Sequence, residues 1–169
     1  NGGLLFASAA AASDILFTSA FDSSASGTTT AGTPASGDWI GINVESGGAL
    51  RMSGFTVRYG GGAAAGLTIS DRGGVRLQGA ATSTISSALI RDNMQQGIRV
   101  TGGTALSMSN TTISNHTAKI AGVAYGLDVV SPSSVAMNSV AFQNNEKDIL
   151  GEGTVAVTCA DANCGTPTS

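Results

Sequence analysis

Four residues occupy the same place in a repeated short segment and together could bind a ligand. Asn43, Thr68, Arg99 and Asp128 each stand third in a segment that reads glycine, apolar, polar, apolar. Amide, hydroxyl, guanidinium and carboxylate groups all form hydrogen bonds with sugars or proteins. Glycoside cleavage needs two carboxyl groups beside one bond, and this set contains one. We therefore predict a binding surface without catalysis, on which Arg99 and Asp128 form a surface ion pair.

The remaining ionisable residues form no evident catalytic group. Asp71 and Arg72 are adjacent in the chain, as are Arg91 and Asp92, and adjacent residues of a strand point to opposite faces. His116, the one histidine, has no obvious nucleophile or acid partner nearby in the sequence. The sequence leaves enzymatic activity open and favours its absence.

Two cysteines near the end of the chain, Cys159 and Cys164, enclose four residues. A disulfide between them would pin a turn, and such bonds persist in oxidising compartments. Two free thiols are the alternative. A zinc site is not expected, because His116 is the only other soft ligand and zinc takes four ligands in structural sites.

The segment 21–38 is rich in Ser, Thr and Gly and predicts a surface loop. Asp22 and Asp38 are its two carboxylates, and Ca²⁺ takes six to eight oxygen ligands. We expect no cofactor, with calcium bound by this loop as the alternative.

Charge and hydropathy exclude two classes of partner. The net charge is -3, and the eight Lys and Arg are scattered singly, so the basic patch that binds nucleic acid is missing. No apolar run approaches the roughly 18 residues that a membrane helix needs. We expect neither nucleic-acid binding nor insertion into a membrane.

Four segments of the sequence repeat one another, at residues 50–59, 83–92, 106–115 and 135–144. Their third positions are occupied by Met52, Ile85, Met108 and Met137, and their eighth positions by Val57, Ile90, Ile113 and Phe142. The glycine-led segments lie at residues 41–44, 66–69, 97–100 and 126–129. Recurrence of one side-chain class at one place indicates a stacked repeat architecture.

Each repeat contains three short strands, because the glycine-led segment is followed by two more apolar positions with a bend residue between them. The bend residues are Gly54, Ser87, Asn110 and Ser139, of types that suit turns. Stacked coils about 4.8 Å apart would pair each strand with its counterpart in a parallel sheet. We predict an all-β solenoid, a right-handed parallel β-helix with three short strands per coil and about five to six coils.

A polar column accompanies the apolar ones, at residues 92–93, 115–116 and 144–145. Stacked Asn side chains can hydrogen-bond from one coil to the next. We expect a structural ladder here, with His116 as one of its members.

The glycine-led strands and the Asn-containing turns between about Trp39 and Leu150 resemble the right-handed parallel β-helix repeats of exported bacterial proteins, of the pectate-lyase-like type. Residues 14–19 and 37–42 are similar to the opening coils of large bacterial surface proteins. This resemblance implies polysaccharide-degrading enzymes, adhesins and surface proteins as relatives. We expect a β-helix domain over residues 1–158, as an excerpt of a longer chain, and a disulfide-pinned turn with a polar tail over residues 159–169.

These observations favour an extracellular or cell-surface segment, structural or adhesive, that presents a surface to a glycan or another surface protein. The main alternative is a carbohydrate-active β-helix enzyme, a polysaccharide lyase or glycoside hydrolase, whose site lies partly outside this sequence. Ice binding is a further alternative, because the second strands carry small polar residues on their outward face. Open coil ends also predict end-to-end self-association.

Overall fold

The computed structural model describes residues 2–25, 31–66, 68–118 and 120–161. Within them the chain forms twelve strands and one short 3-10 turn, Ile69–Asp71, between the fourth and fifth strands. The strands are β1 (Leu4–Ser8), β2 (Ile15–Phe17), β3 (Ile42–Val44), β4 (Ala49–Arg58), β5 (Gly73–Gln78), β6 (Ser83–Arg91), β7 (Gln96–Thr101), β8 (Ala105–Ser114), β9 (Tyr125–Val130), β10 (Ser134–Gln143), β11 (Lys147–Glu152) and β12 (Ala156–Cys159).

The strands form two parallel sheets that the chain visits alternately. One sheet has the order β1-β4-β6-β8-β10-β12, with β2 also paired to β4, and the other has the order β11-β9-β7-β5-β3. Each later coil therefore adds one short strand to the second sheet and one long strand to the first. This arrangement is the predicted parallel β-helix solenoid.

The predicted second and third strands of each coil run on as one bent strand. The bend falls at the predicted residues, which adopt left-handed backbone conformations with φ of 69° at Gly54, 50° at Ser87, 48° at Asn110 and 55° at Ser139. Gly and Asn visit this region at the lowest cost, whereas Ser87 and Ser139 adopt it at some cost in backbone strain. The bend turns the chain through a corner without ending the hydrogen-bonded pairing on either side.

The apolar columns are confirmed by the register of the long strands. Met52 pairs with Ile85, Ile85 with Met108, and Met108 with Met137, and all four are at most 3 % exposed. The eighth-position residues align in the same way. Phe55 is fully buried and meets Phe17 of the opening coil edge to face, with ring centroids 6.4 Å apart. Aligned apolar side chains thus fill the interior of each coil.

The polar column is a buried ladder of hydrogen bonds, as predicted. Asn93 Nδ2 lies 3.3 Å from His116 Nε2, and His116 Nδ1 lies 2.9 Å from Asn145 Oδ1. Asn145 Oδ1 also accepts from the backbone N–H of His116 at 3.1 Å. This pattern fits a neutral ring that donates through Nδ1 and accepts at Nε2. Burial lowers the pKa of His116 to about 4, although the hydrogen bond to Asn145 and the charge of Asp92 raise it.

The ladder explains why glycine opens the short strands. A Cβ on Gly74 would lie 2.5 Å from Asn93 Nδ2, and a Cβ on Gly97 would lie 2.5 Å from the Gly126 carbonyl oxygen and 2.8 Å from His116 Cε1. These separations are far below van der Waals contact. The glycines give the ladder side chains and the next coil room to pack against the backbone.

We therefore expect Gly97→Ala to lower the free energy of unfolding by about 1–3 kcal/mol, the usual cost of overpacking. Gly3→Ala is the control, because a Cβ at Gly3 meets nothing within 4 Å. Urea denaturation followed by circular dichroism measures both. Equal midpoints for the two variants would contradict the steric explanation.

One predicted strand is wrong. The described residues of the segment 66–69, which are 66, 68 and 69, do not lie in a strand. The place of the second short strand is taken by β5, with Ile42 paired to Val75 and Asn43 to Arg76. Thr68 instead opens the 3-10 turn, where its backbone N–H and its hydroxyl donate to Asp71 Oδ2 at 3.2 and 2.6 Å. The segment 74–77 has the same glycine, apolar, polar, apolar pattern. Arg76 therefore occupies the position in the stacked column that was predicted for Thr68.

The connections differ in length on the two sides of the coil. Every connection from a short strand to the following long strand is brief: Val44 to Ala49, Gln78 to Ser83, Thr101 to Ala105, Val130 to Ser134 and Glu152 to Ala156. Return connections vary, from the brief Gln143 to Lys147 to the long Arg58 to Gly73 and Ser114 to Tyr125. Insertions are therefore confined to the corner that precedes the short strands.

The opening coil and the last strand bear on the remaining predictions. β2 pairs with β4 and so places residues 14–19 in the opening coil. Cys159 ends β12, whereas Cys164 lies outside the described residues, so the disulfide and the domain boundary after residue 158 stay predictions. Within the described residues, no helix is long and apolar enough to cross a membrane.

The segment 21–38, for which calcium was the alternative to no cofactor, engages its two carboxylates in hydrogen bonds with different hydroxyl groups. Asp22 forms an ion pair with the buried Arg58 and accepts from Thr18 Oγ1 at 2.5 Å, while Asp38 accepts from Ser19 Oγ at 2.5 Å. Residues 26–30 of this loop lie outside the described part. Among the residues that the structure describes, no three His, Cys, Asp or Glu side chains gather as metal ligands.

Candidate ligand cleft

The outward side chains of the short strands form one column across the second sheet. The register aligns Asn43, Arg76, Arg99, Asp128 and Leu150. Their strand neighbours, such as Val75, Ile98 and Leu127, point inward and are fully buried, as the alternation of a strand requires. The rigid core thereby fixes the spacing of the polar column.

Arg99 and Asp128 are neighbours in adjacent coils, as predicted, but they do not form a surface pair. Arg99 is 8 % exposed and Asp128 is completely buried. Arg99 Nη1 contacts Asp128 Oδ2 directly and lies 3.9 Å from Glu152 Oε1. Asp71, in the 3-10 turn before β5, lies beside Arg99. The sequence pattern did not indicate this contact, because it predicts a strand at residues 66–69.

Asp71 joins this cluster through the 3-10 turn. Its Oδ1 atom lies 3.5 Å from Arg99 Nε and 4.0 Å from Arg76 Nε. Burial by itself raises the pKa of Asp71, but the hydrogen bonds from Thr68 and the charges of Arg99 and Arg76 outweigh it and hold that pKa below its usual value. Thr68 therefore belongs to the site as the residue that orients Asp71.

Asp128 has an unusual protonation equilibrium. Burial raises the pKa of Asp128 to about 6, the Arg99 charge opposes the shift, and the Glu152 charge adds to it. Asp128 Oδ1 is buried and has no hydrogen-bond partner in the described structure. Nearby, Gln96 is 3 % exposed and its Oε1 atom also has no partner there. Two buried acceptors without donors cost free energy that a ligand could recover.

A cleft of about 530 Å³ opens over this part of the sheet. Thr68, Ile69 and Ser70 of the turn border it, as does the segment 121–123. Gln95 holds that second segment in place, because its Nε2 atom donates to the Ala121 carbonyl oxygen at 2.7 Å. The polar residues that line the cleft from the strands are Gln96, Arg99, Asp128 and Glu152, with Tyr125 and Leu150 beside them.

The structure brings together three of the four predicted binding residues. Arg99, Asp128 and Thr68 line the cleft, whereas Asn43 lines a separate hollow near the amino-terminal coil. Sequence reasoning missed Asp71, Arg76, Gln96 and Glu152 as members or supports of the site. The pattern at residues 74–77 would have revealed Arg76, because it matches the other glycine-led segments.

The second predicted surface, the array of small polar side chains, lies on the long strands. The register aligns Arg51, Thr84, Ser107 and Ala136 in one row, and Ser53, Ser86, Ser109 and Asn138 in the other. Phe6 stands before Arg51 in the first row and is 67 % exposed. The polar row therefore ends at an exposed apolar ring. Ice binding by this face stays a prediction of the sequence.

Comparison with known proteins identifies the family and nothing finer. The family model described as the right handed beta helix region matches residues 40–164. A search of curated proteins and a search of solved structures gave no match. The matched range contains every strand from β3 to β12, and the parallel pairing of those strands agrees with the matched description. The chain belongs to the right-handed β-helix family.

Proposed function

We propose that this chain is an extracellular β-helix segment that binds a glycan in the cleft over β7, β9 and β11, without catalysis. The observation that carries the proposal is the pair of buried, unpartnered acceptors, Gln96 Oε1 and Asp128 Oδ1, beside an open cleft. Leaving such atoms without donors costs about 1–3 kcal/mol each. A sugar carries several hydroxyl groups, and each can donate one hydrogen bond to an acceptor of this kind.

The geometry of the sheet supports a linear ligand. Successive rungs lie about 4.8 Å apart, a distance comparable with the length of one pyranose unit. Arg99 on β7, Asp128 on β9 and Glu152 on β11 therefore line the cleft from three successive strands. Because the strands are locked in register, little side-chain ordering is needed when the ligand binds.

The test is binding of a panel of neutral, amino and acidic tetrasaccharides, measured by isothermal titration calorimetry. Ala121→Trp places a bulky ring at the exposed border of the cleft, and we expect at least about a tenfold loss of affinity, equivalent to 1.4 kcal/mol. Ala136→Trp is the matched control, an exposed alanine on the other sheet. Loss of binding in Ala136→Trp alone would move the glycan site to the polar array of the long strands.

A carbohydrate-active enzyme is the second candidate, and one observation favours it. Asp128, with its pKa raised to about 6, can retain a proton near neutral pH, as a general acid must. Glu152 approaches the same nitrogen, Nη1 of Arg99, so the two carboxyl groups are close enough to act on one bond. Release of reducing or unsaturated ends from the bound glycans would replace the binding proposal with this one. Binding to another surface protein and end-to-end association stay predictions.

A further inference from the structure

The carboxylates of the cleft outnumber the cations that line it. Asp71, Asp128 and Glu152 surround Arg99, while Arg76 is engaged by Glu45 at 2.9 Å and contacts Gln78. From this arrangement we propose that the cleft selects glycans that carry free amines, as hexosamine units do, over glycans that carry carboxylates. The inference rests on the proposed glycan-binding function and names its ligand class.

Arg99 already faces three carboxylates of the protein, and this makes it a poor receptor for a uronate. Its Nη1 atom contacts Asp128 and approaches Glu152, and its Nε atom faces Asp71 at 3.5 Å. A guanidinium binds a carboxylate well when two parallel N–H donors are free. The negative charges of Asp71, Asp128 and Glu152 would repel an incoming uronate.

The two unpartnered acceptor atoms also favour a ligand that donates hydrogen bonds. Gln96 Oε1 and Asp128 Oδ1 are acceptors without a donor, whereas the unbonded donors beside them, Arg99 Nε and Arg76 Nε, already face the Asp71 carboxylate. An ionised uronate carboxylate donates no hydrogen bond. An ammonium group donates three and carries the complementary charge. Glu152, which is 46 % exposed at its side chain, is the carboxylate that an amine at the mouth of the cleft meets first.

The lining favours a saccharide over a lysine-rich peptide. Thr68 and Ser70 place hydroxyl groups at the border, 2.9 Å from each other, and Tyr125 adds a half-buried aromatic ring. Hydroxyl-rich borders beside an aromatic surface match the alternating polar edge and apolar face of a pyranose ring. A lysine side chain would use the carboxylates and leave these groups unused.

Affinity for the amine should depend on pH through the groups that face Asp128. These are Arg99 on β7, Glu152 on β11 and Asp71 on the turn. Below pH 6 Asp128 takes up a proton, because burial raises its pKa to about 6, and the cleft loses one negative charge. Compared at each pH with Asp128→Asn, whose cleft charge at that position is constant while the ligand amines titrate equally in both, the wild type should therefore lose affinity for amines between pH 7 and pH 5.

The experiment compares four probes by calorimetry at pH 7 and low salt: glucosamine tetramer, N-acetylglucosamine tetramer, galacturonic acid tetramer and tetralysine. We expect the glucosamine tetramer to bind at least about tenfold more tightly than the other three. Glu152→Gln should reduce that affinity by about fivefold, in the range of one partly exposed charge pair. Asp14→Asn, which removes one exposed negative charge from the opening coil, should change it less than twofold.

The outcomes separate this inference from the function on which it rests. Equal binding of the glucosamine and N-acetylglucosamine tetramers, or tighter binding of the galacturonic acid tetramer, would overturn amine selection and leave glycan binding intact. Equal binding of tetralysine would show that the cleft responds to charge alone and would overturn the choice of a saccharide. Absence of binding to every glycan of the panel would remove both proposals.

Discussion

Replacing Arg99 by Met is expected to lower the free energy of unfolding by about 3–5 kcal/mol at pH 7, the typical cost of removing one partner of a buried ion pair. Asp128 is fully buried and would lose the cation that its Oδ2 atom contacts. The carboxylate would then remain charged without a partner or take up a proton at a cost. Urea denaturation followed by circular dichroism measures the change.

Two companion experiments identify the cause of that loss. At pH 5 Asp128 is largely protonated in the wild type, since its pKa is about 6, so the cost of Arg99→Met should shrink. The double variant Arg99→Met with Asp128→Leu should recover most of the stability, because Leu150 is the register neighbour of Asp128 and an apolar replacement of the pair is close to neutral. Arg91→Met, which breaks a partly exposed pair with Asp92, should cost under about 1 kcal/mol. A double variant less stable than the single one would refute this explanation.

Between pH 6 and pH 4 two buried groups are expected to change the stability in opposite directions. His116 is neutral in the fold, with a pKa of about 4 against 6.5 for the free side chain. Its contribution is present above pH 6.5 and is lost as the pH falls towards 4, by about 3 kcal/mol in total. Asp128 has its pKa raised from 3.8 to about 6, so its contribution is greatest below pH 3.8 and is lost as the pH rises through 6, by a similar amount.

The wild-type stability should therefore vary little across this window, and single variants should reveal the two slopes. His116→Asn keeps an amide in the ladder, as at Asn93 and Asn145, and should become more stable as the pH falls from 6 to 4. Asp128→Asn should become less stable over the same range. Denaturation midpoints at pH 6, 5 and 4 measure this, above the range in which Asp22 and Asp71, with lowered pKa values, begin to titrate. Parallel curves for the two variants would contradict the assignment.

The sequence predicts the fold well because the long strands repeat with one register. Met52 and its equivalents are large, apolar and evenly placed, so a shift of one residue would turn each to solvent. The bend residues were also predictable, because Ser, Asn and Gly tolerate the left-handed conformation that Gly54, Ser87, Asn110 and Ser139 adopt. Strong local preferences and the core pattern therefore agree at these positions.

The site was only partly predictable, because a loop of unequal length enters it. The pattern at residues 66–69 matches a short strand as well as residues 74–77 do. The two glycines differ in their surroundings, because a Cβ on Gly74 would lie 2.5 Å from Asn93 whereas a Cβ on Gly66 would meet nothing within 4 Å, and the sequence does not reveal this difference. In the structure Asp71 ends the 3-10 turn, and its Oδ1 atom lies 3.5 Å from Arg99 Nε. A contact between a loop and a strand of the next coil does not recur at a fixed spacing, so the repeat pattern of the sequence does not predict it.

The unequal connections have a consequence for how such a chain diversifies. Short strands lead into long strands through brief turns, whereas the return corner contains connections from Gln143 to Lys147 up to Arg58 to Gly73. Lengthening a surface connection costs little entropy, and a return segment can change without altering any rung. Exchange of residues 60–72 or 115–124 between solenoids of this kind would change which ligand is bound without changing the stacked strands. Libraries of variants are therefore best built at that corner.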